Sequence, residues 1–230
     1  MEWKGEERLV RVATGEVILE GNLSLPVGAR GIVLFAHGSG SSRHSSRNRH
    51  VARLLNEAQL ATLLIDLLSP EEEAIDMRTA HLRFDIGLLA ERLVGTTDWL
   101  MQQPDTRQLR IGYFGASTGA AAALVAAAER PDAVGAVVSR GGRPDLAGPV
   151  LAHVRAATLL IVGGNDVQVI ELNRMAFAQL RCEKQLVIVP GATHLFEEPG
   201  ALDEVARLAR EWFEQHLVTH ANQRATEASG

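Results

Sequence analysis

Three residues in this chain carry side chains that could act together on an acyl group: Ser117, Asp166 and His194. Ser117 stands in Gly115-Ala116-Ser117-Thr118-Gly119, after the apolar run Leu109–Phe114 and before the alanine-rich stretch Ala120–Glu129. A G-x-S-x-G pentapeptide between a strand and a helix is a nucleophile elbow, a sharp turn that lifts the serine hydroxyl clear of the sheet. Five residues can match by chance, so the strand before and the helix after make the match informative. The flanking glycines let strand and helix approach closely, and the hydroxyl lies at the positive end of the helix dipole.

A serine hydroxyl is a weak nucleophile until a base takes its proton. Imidazole titrates near neutral pH, so His194 can accept that proton and return it to a leaving group. A carboxylate at Asp166 would hold the ring in the required tautomer and stabilise the imidazolium. The negatively charged intermediate also needs donors. The backbone N–H of Thr118, first in the helix, supplies one, and that of Ser39 is the natural second.

Each residue has an ordinary reading beside the chemical one. Ser117 would serve as a helix N-cap, and Asp166 as a turn residue after Gly163-Gly164-Asn165. Asp66 also ends a strand and is the rival carboxylate, read here as organising its neighbouring loop. Of the eight histidines, His37 adjoins the oxyanion loop and reads as architectural. His44, His50, His81, His153, His216 and His220 fall on helix or loop patterns, where exposure is ordinary. No one residue decides; the joint occurrence of Ser, Asp and His in that order does.

The elements that must position these groups alternate along the chain. Leu9–Ala13 and Val17–Leu25 read as strands joined in a hairpin at Thr14-Gly15. Gly31–Ala36 is a buried strand ending at His37-Gly38-Ser39-Gly40. Ser45 or Ser46 caps a helix reaching Ala58. Ala61–Asp66 is the next strand, and Ser69–Met77 reads as an acidic loop. Leu82–Met101 is a long helix with apolar residues at three- and four-residue spacing. Four further strands, Leu109–Phe114, Ala133–Ser139, Thr158–Val162 and Gln185–Val189, precede helical patterns at Ala120–Glu129, Pro149–Arg155, Ile170–Gln179 and Ala201–Leu217. Such alternation predicts a mostly parallel sheet of about eight strands, covered by helices on both faces. In that architecture sites form at the carboxyl ends of the strands, and Ser117, Asp166 and His194 all follow strands.

With 230 residues, 46% hydrophobic and 22% charged, the chain suits one large α/β domain, residues 1–218, followed by a polar tail, 219–230, read as flexible. A net charge of −5 offers no global basic field for nucleic acid or an anionic membrane. The lone Cys182 rules out an internal disulfide framework and reads as a structural or incidental thiol. The N-terminus has no apolar signal-like region and no apolar run reaches membrane-spanning length, so a cytoplasmic location is the default expectation.

The segments His37-Gly38-Ser39-Gly40-Ser41-Ser42, Gly115–Gly119, Gly164-Asn165-Asp166 and Ala192-Thr193-His194-Leu195-Phe196 together resemble an α/β-hydrolase. Within that superfamily the chain resembles the small, lidless dienelactone hydrolase-like branch, over roughly Gly31 to Leu217. The chain order Ser, Asp, His is that of an α/β-hydrolase triad. Lid domains of this fold enter after the strand that here ends at Ser139. Only Arg140–Val154, about fifteen residues, precede the next strand's approach, so the cleft is expected to be open. Dienelactone hydrolases proper use a cysteine nucleophile where this chain has Ser117.

The resemblance therefore implies a serine hydrolase of small carboxylic esters acting through an acyl-enzyme. Ser117 is the nucleophile, His194 the base and acid, and Asp166 the orienting carboxylate, with no metal or organic cofactor needed. The expected partner is a small-molecule ester, with neither nucleic acid nor membrane, and a homodimer is left open. Acyl transfer or thioester hydrolysis by the same triad stays open, as does a non-catalytic binding domain of this fold.

Other patterns compete. Gly38-Ser39-Gly40-Ser41-Ser42-Arg43 nearly matches the dinucleotide fingerprint G-x-G-x-x-G, but Arg43 stands where the third glycine should be and Asp66 lies beyond the usual acid position. His216 and His220 have the spacing of a metal pair without Glu or Cys partners, and read as a frayed surface face. Arg43, Arg47 and Arg49 crowd a helix start, where the macrodipole disfavours cations. Either the acidic stretch Glu71-Glu72-Glu73-Ala74-Ile75-Asp76 is expected to pair with them across the cleft mouth, or an anionic substrate compensates them.

Overall fold

In the computed structural model, which describes residues 5–218, a hairpin of β1 (Gly5–Thr14) and β2 (Val17–Pro26) opens the sheet. Gly15 makes the turn at φ 57°, a backbone region closed to most side chains. β3 (Gly31–Ala36) leads to α1 (Ser46–Glu57), where the Ser45 side chain accepts from the Asn48 N–H. After β4 (Leu60–Ile65) come α2 (Pro70–Thr79), a short 3-10 turn (Leu82–Phe84) and α3 (Ile86–Leu100). Then follow β5 (Ile111–Ala116), α4 (Thr118–Glu129), β6 (Val134–Arg140), a kinked 3-10 segment (Pro144–His153), β7 (Ala157–Gly163), α5 (Val167–Gln179), β8 (Lys184–Val189) and α6 (Ala201–Leu217).

The eight strands form one sheet in the order β1-β2-β4-β3-β5-β6-β7-β8. β1 and β2 run antiparallel, as do β2 and β4; every other pairing is parallel. β3 to β7 are buried along their whole length, which is why they read as continuous apolar runs. Core layers lie on both faces, with Val33, Phe35, Phe114 and Phe213 in one and Leu34, Tyr113, Leu93 and Leu124 in the other. This is the expected α/β-hydrolase fold. No lid domain interrupts it: residues 140–154 hold only the 3-10 segment, broken at Gly148 (φ 55°). Among the described residues no helix is long and apolar enough to cross a membrane.

The structure corrects the expectations in several places. The acidic stretch Ser69–Met77 belongs to α2 rather than to a loop. Ser69 and Glu72 form a capping box, Pro70 opens the helix, and Glu71, Glu72 and Glu73 occupy its first turn. Three carboxylates there are favoured by the macrodipole, not merely tolerated. The long helix expected from Leu82 divides at Asp85, whose side chain caps the Leu88 N–H at 3.0 Å. His216 does not lie on a frayed face: its side chain is 11% exposed and its ring packs 4.4 Å from that of Trp212. His220 and the expected tail, 219–230, lie outside the described residues. Among the described residues no group of three or more His, Cys, Asp or Glu could hold a metal ion.

Candidate active site

Ser117 sits at φ 50°, ψ −123°, a region an L-residue occupies only under constraint. Parallel strand pairing delivers the chain to this point, and glycines make the turn sterically feasible. A Cβ on Gly119 would lie 2.3 Å from the Ala36 carbonyl oxygen, and one on Gly115 2.4 Å from the Ala120 Cα. Both clashes are with backbone, so no side-chain motion could relieve them. The Ser117 carbonyl accepts from Ala120 N–H at 3.1 Å and Arg143 N–H at 3.0 Å, and its N–H donates to the Arg140 carbonyl at 3.4 Å.

Asp166 ends the turn after β7, and His194 lies in the loop after β8. The two loops are tied together by Asn165 N–H to the Ala192 carbonyl, at 2.9 Å. The result is a 2.7 Å contact between His194 Nδ1 and Asp166 Oδ2. The Asp166 side chain is 16% exposed and that of His194 40%, so the ring reaches the surface while its carboxylate partner stays sheltered. With Nδ1 facing a carboxylate, Nδ1 carries the proton and Nε2 is left as the acceptor.

The rival carboxylate has another occupation. Asp66 accepts from the Arg43 backbone N–H at 2.7 Å and pairs with its guanidinium, while Arg43 also reaches Glu20 at 2.8 Å. Asp66 thus holds the loop after β3. His37 holds the same loop from inside. Its Nε2 accepts from Leu67 N–H at 3.1 Å, so Nδ1 bears the proton facing the Gly38 carbonyl at 3.0 Å. The Ser39 N–H donates to Thr118 Oγ1 at 3.2 Å, and the Thr118 N–H, first in its helix, has no intrahelical acceptor. A Cβ on Gly38 would come within 2.9 Å of the Ser117 Cβ. The loop after β3 therefore lies against the elbow.

Beside these groups opens a cavity of about 230 Å³, walled by Ser39 and Thr118 on one side and by Leu68, Met77 and Arg83 from the α2 region on the other. Sequence reasoning missed this wall: Met77 was read as the end of a loop and Arg83 as part of the long helix, with nothing to bring them to the site. It also missed the ion pairing. Arg47 pairs with Glu197 at 3.1 Å, Glu72 with Arg92 at 2.8 Å, and Asp76 with Arg83. The bridge expected as one alternative between Arg43, Arg47 or Arg49 and the acidic stretch does not form: Arg43 and Arg47 pair elsewhere, and Glu72 and Asp76 bind Arg92 and Arg83.

Enclosure lowers the pKa of His37 from the ordinary value of 6.5, while the Gly38 carbonyl, Asp66 and Glu73 pull it upward. A folded-state pKa below the unfolded one means that the unfolded chain binds the proton more readily. This contribution is therefore fully present above 6.5 and is lost as pH falls towards the depressed folded value. His37→Gln, which keeps an acceptor for Leu67, is expected to flatten the fall in urea midpoint between about pH 7.5 and about pH 5.5. His216, lowered chiefly by burial, contributes slope of the same sign. An unaltered slope in the variant would remove His37 from this account.

The fold is that of the α/β-hydrolases. Residues 26–223 match the model of the dienelactone hydrolase family, and the chain belongs to that family. The crystal structure of a dienelactone hydrolase from Anabaena variabilis is 68% identical, with a TM-score of 0.91, over 93% of this chain and 99% of that one. Esterase Est1E from Butyrivibrio proteoclasticus shares the fold at a TM-score of 0.75 and 15% identity, over 90% of this chain and 98% of that one. Two curated relatives from strains of Mycobacterium tuberculosis are 61% identical over 208 residues and are provisionally named phosphoribosyl transferases. The match covers 90% of this chain but only 46% of theirs, so the chain spans about half their length.

Proposed function

We propose that this hydrolase is a serine esterase that cleaves small carboxylic esters through an acyl-enzyme. The observation that carries the reading is the 2.7 Å contact of His194 Nδ1 with Asp166, taken with a serine held at positive φ in a glycine-flanked elbow. Ser117 Oγ attacks the ester carbonyl carbon as His194 Nε2 takes its proton, and Asp166 stabilises the imidazolium. The oxyanion accepts from the Thr118 N–H. It also accepts from the Ser39 N–H once the Thr118 hydroxyl rotates away from it, a change of partner rather than of backbone. His194 then protonates the leaving alkoxide, and water repeats the sequence in reverse to free the acid.

The elbow serine, in place of the cysteine of dienelactone hydrolases proper, favours general ester cleavage over dienelactone opening. The phosphoribosyl transferase name belongs to proteins about twice the length of the matched segment, and the geometry of this chain supports acyl chemistry. Its partner is a small-molecule ester, and its proposed location is cytoplasmic.

The test is labelling with a fluorophosphonate, followed by peptide mass mapping and a chain-length panel of 4-nitrophenyl esters. The expected result is a single adduct on the Ser117 peptide, with fastest turnover of short acyl chains. An adduct elsewhere, or none on active protein, would count against the assignment.

A further inference from the structure

The sheet ends in two unlike edges. β8 spans only Lys184–Val189, opens on a lysine and stops before Pro190, which are ordinary ways of keeping an edge from pairing with another chain. β1 has none of these. It runs ten residues, Gly5–Thr14, without a proline, and pairs with β2 in one unbroken register. Among the described residues no strand lies beyond it.

The hairpin decides which backbone groups β1 leaves free. Thr14 and Val17 close a two-residue turn, so they exchange both hydrogen bonds, and every second residue back along β1 does the same with β2. The Glu20 carbonyl, which accepts from Asp66 N–H at 3.0 Å on the other side of β2, fits that alternation. The N–H and C=O groups of Glu7, Leu9, Arg11 and Ala13 therefore point outward from the sheet. Their side chains share one face and are exposed, Leu9 at 60%. The opposite face carries Val10 and Val12, which belong to the core layer that includes Leu89 and Leu93 of α3.

Charge is arranged symmetrically about Leu9, with Glu7 two residues before it and Arg11 two residues after. Glu7 is steadied by Asn22 Nδ2 at 3.1 Å. Glu20, opposite Arg11 in the hairpin, is taken by Arg43 at 2.8 Å.

We propose that β1 is a homodimer edge, pairing antiparallel with β1 of a second copy about a two-fold axis through Leu9. In that register Leu9 faces its own copy, and each Glu7 stands directly opposite Arg11 of the other chain. Opposite charges so placed stabilise a ladder, and like charges destabilise it. All three are hydrogen-bonded positions, so the outward groups from Glu7 to Arg11 all find partners. An axis through Glu7 or Arg11 would set like charges opposite one another, and one through Arg8 or Val10 would leave both charges unmatched. Arg8, on the other face, keeps Asp105 at 2.8 Å and stands opposite Val10. The contact is self-complementary and closes on itself, whereas β1 against β8 would continue into a fibre. Ser117, Asp166 and His194 follow β5, β7 and β8, so the edge lies apart from the cleft and stands independently of the esterase reading.

The experiment is sedimentation equilibrium across a range of loading concentrations, on wild type, Glu7→Arg, Arg11→Glu and the double variant Glu7→Arg/Arg11→Glu, with circular dichroism to follow folding. Wild type is expected to approach twice the chain mass of 24.8 kDa as concentration rises. Each single variant places two like-charge pairs in the interface and should raise the dimer Kd by about tenfold or more. The double variant exchanges the charges and should return the Kd towards that of wild type. A second readout fixes the register. In a Cys182→Ser background, Leu9→Cys should oxidise to a covalent dimer, since Cα atoms of such a pair lie about 5.5 Å apart, within disulfide reach. Ala13→Cys should not, because its two copies would lie about 27 Å apart along the strand. Should a charge variant fail to fold, the crosslinking pair decides alone. A mass of one chain at every concentration, an unchanged Kd in the single variants, no recovery in the double variant, or equal crosslinking at the two positions would overturn the proposal.

Discussion

Ser117→Ala is expected to lower kcat/KM for a small ester by about 10³ or more, because the members of a triad act as a unit. The fold should survive the change. The Ser117 side chain caps nothing in α4, and alanine meets the same strain at φ 50° as serine does. Ser117→Gly separates the two effects further. Glycine occupies that region freely, so the variant should be equally inactive yet more stable by about 1 kcal/mol, the strain the native serine holds. Steady-state rates with urea unfolding check both statements. More than a tenth of wild-type activity in the alanine variant would mean that another group attacks the ester.

Asp166→Asn should come next in size, with a loss approaching ~10⁴. The amide can donate to His194 Nδ1, which puts the proton on Nε2 and leaves no acceptor for the serine hydroxyl. The 2.7 Å contact makes this variant a replacement of chemistry rather than of shape. Asp66→Asn is the control. That carboxylate binds Arg43 through its backbone N–H and guanidinium, so its loss loosens the loop after β3 and acts on Ser39 only by misplacement, less than about 10² in rate. The reverse ranking would transfer the acid to the end of β4 and require a rebuilt His194 loop.

Much of the frame was legible because its signals are local. Gly15 marked the hairpin, continuous apolar runs marked the buried parallel strands, and α6 began and ended where its periodicity did. Helix boundaries that slipped did so for local reasons too. The capping box Ser69-Pro70-Glu71-Glu72 is a helix start written in sequence, yet the acidity after it reads as solvated loop unless the cap is weighed first. Asp85 likewise stops one helix pattern and caps the next within three residues.

The order of Ser117, Asp166 and His194 after β5, β7 and β8, and the glycines that let the elbow turn, were determined by the sequence itself. Backbone shape there depends on neighbours a few residues away, and parallel strands bring their carboxyl ends to one edge. Which charges meet was decided only by the tertiary structure. Arg47 finds Glu197 150 residues on, Arg43 takes Asp66 and Glu20 rather than the acids of α2, and Arg140, one more polar residue at the end of an apolar run, is buried with no carboxylate paired to it among the described residues. Ion pairing falls off within a few ångströms and carries no periodicity. Partner choice therefore depends on distances that exist only once the sheet has closed and the helices have packed on it.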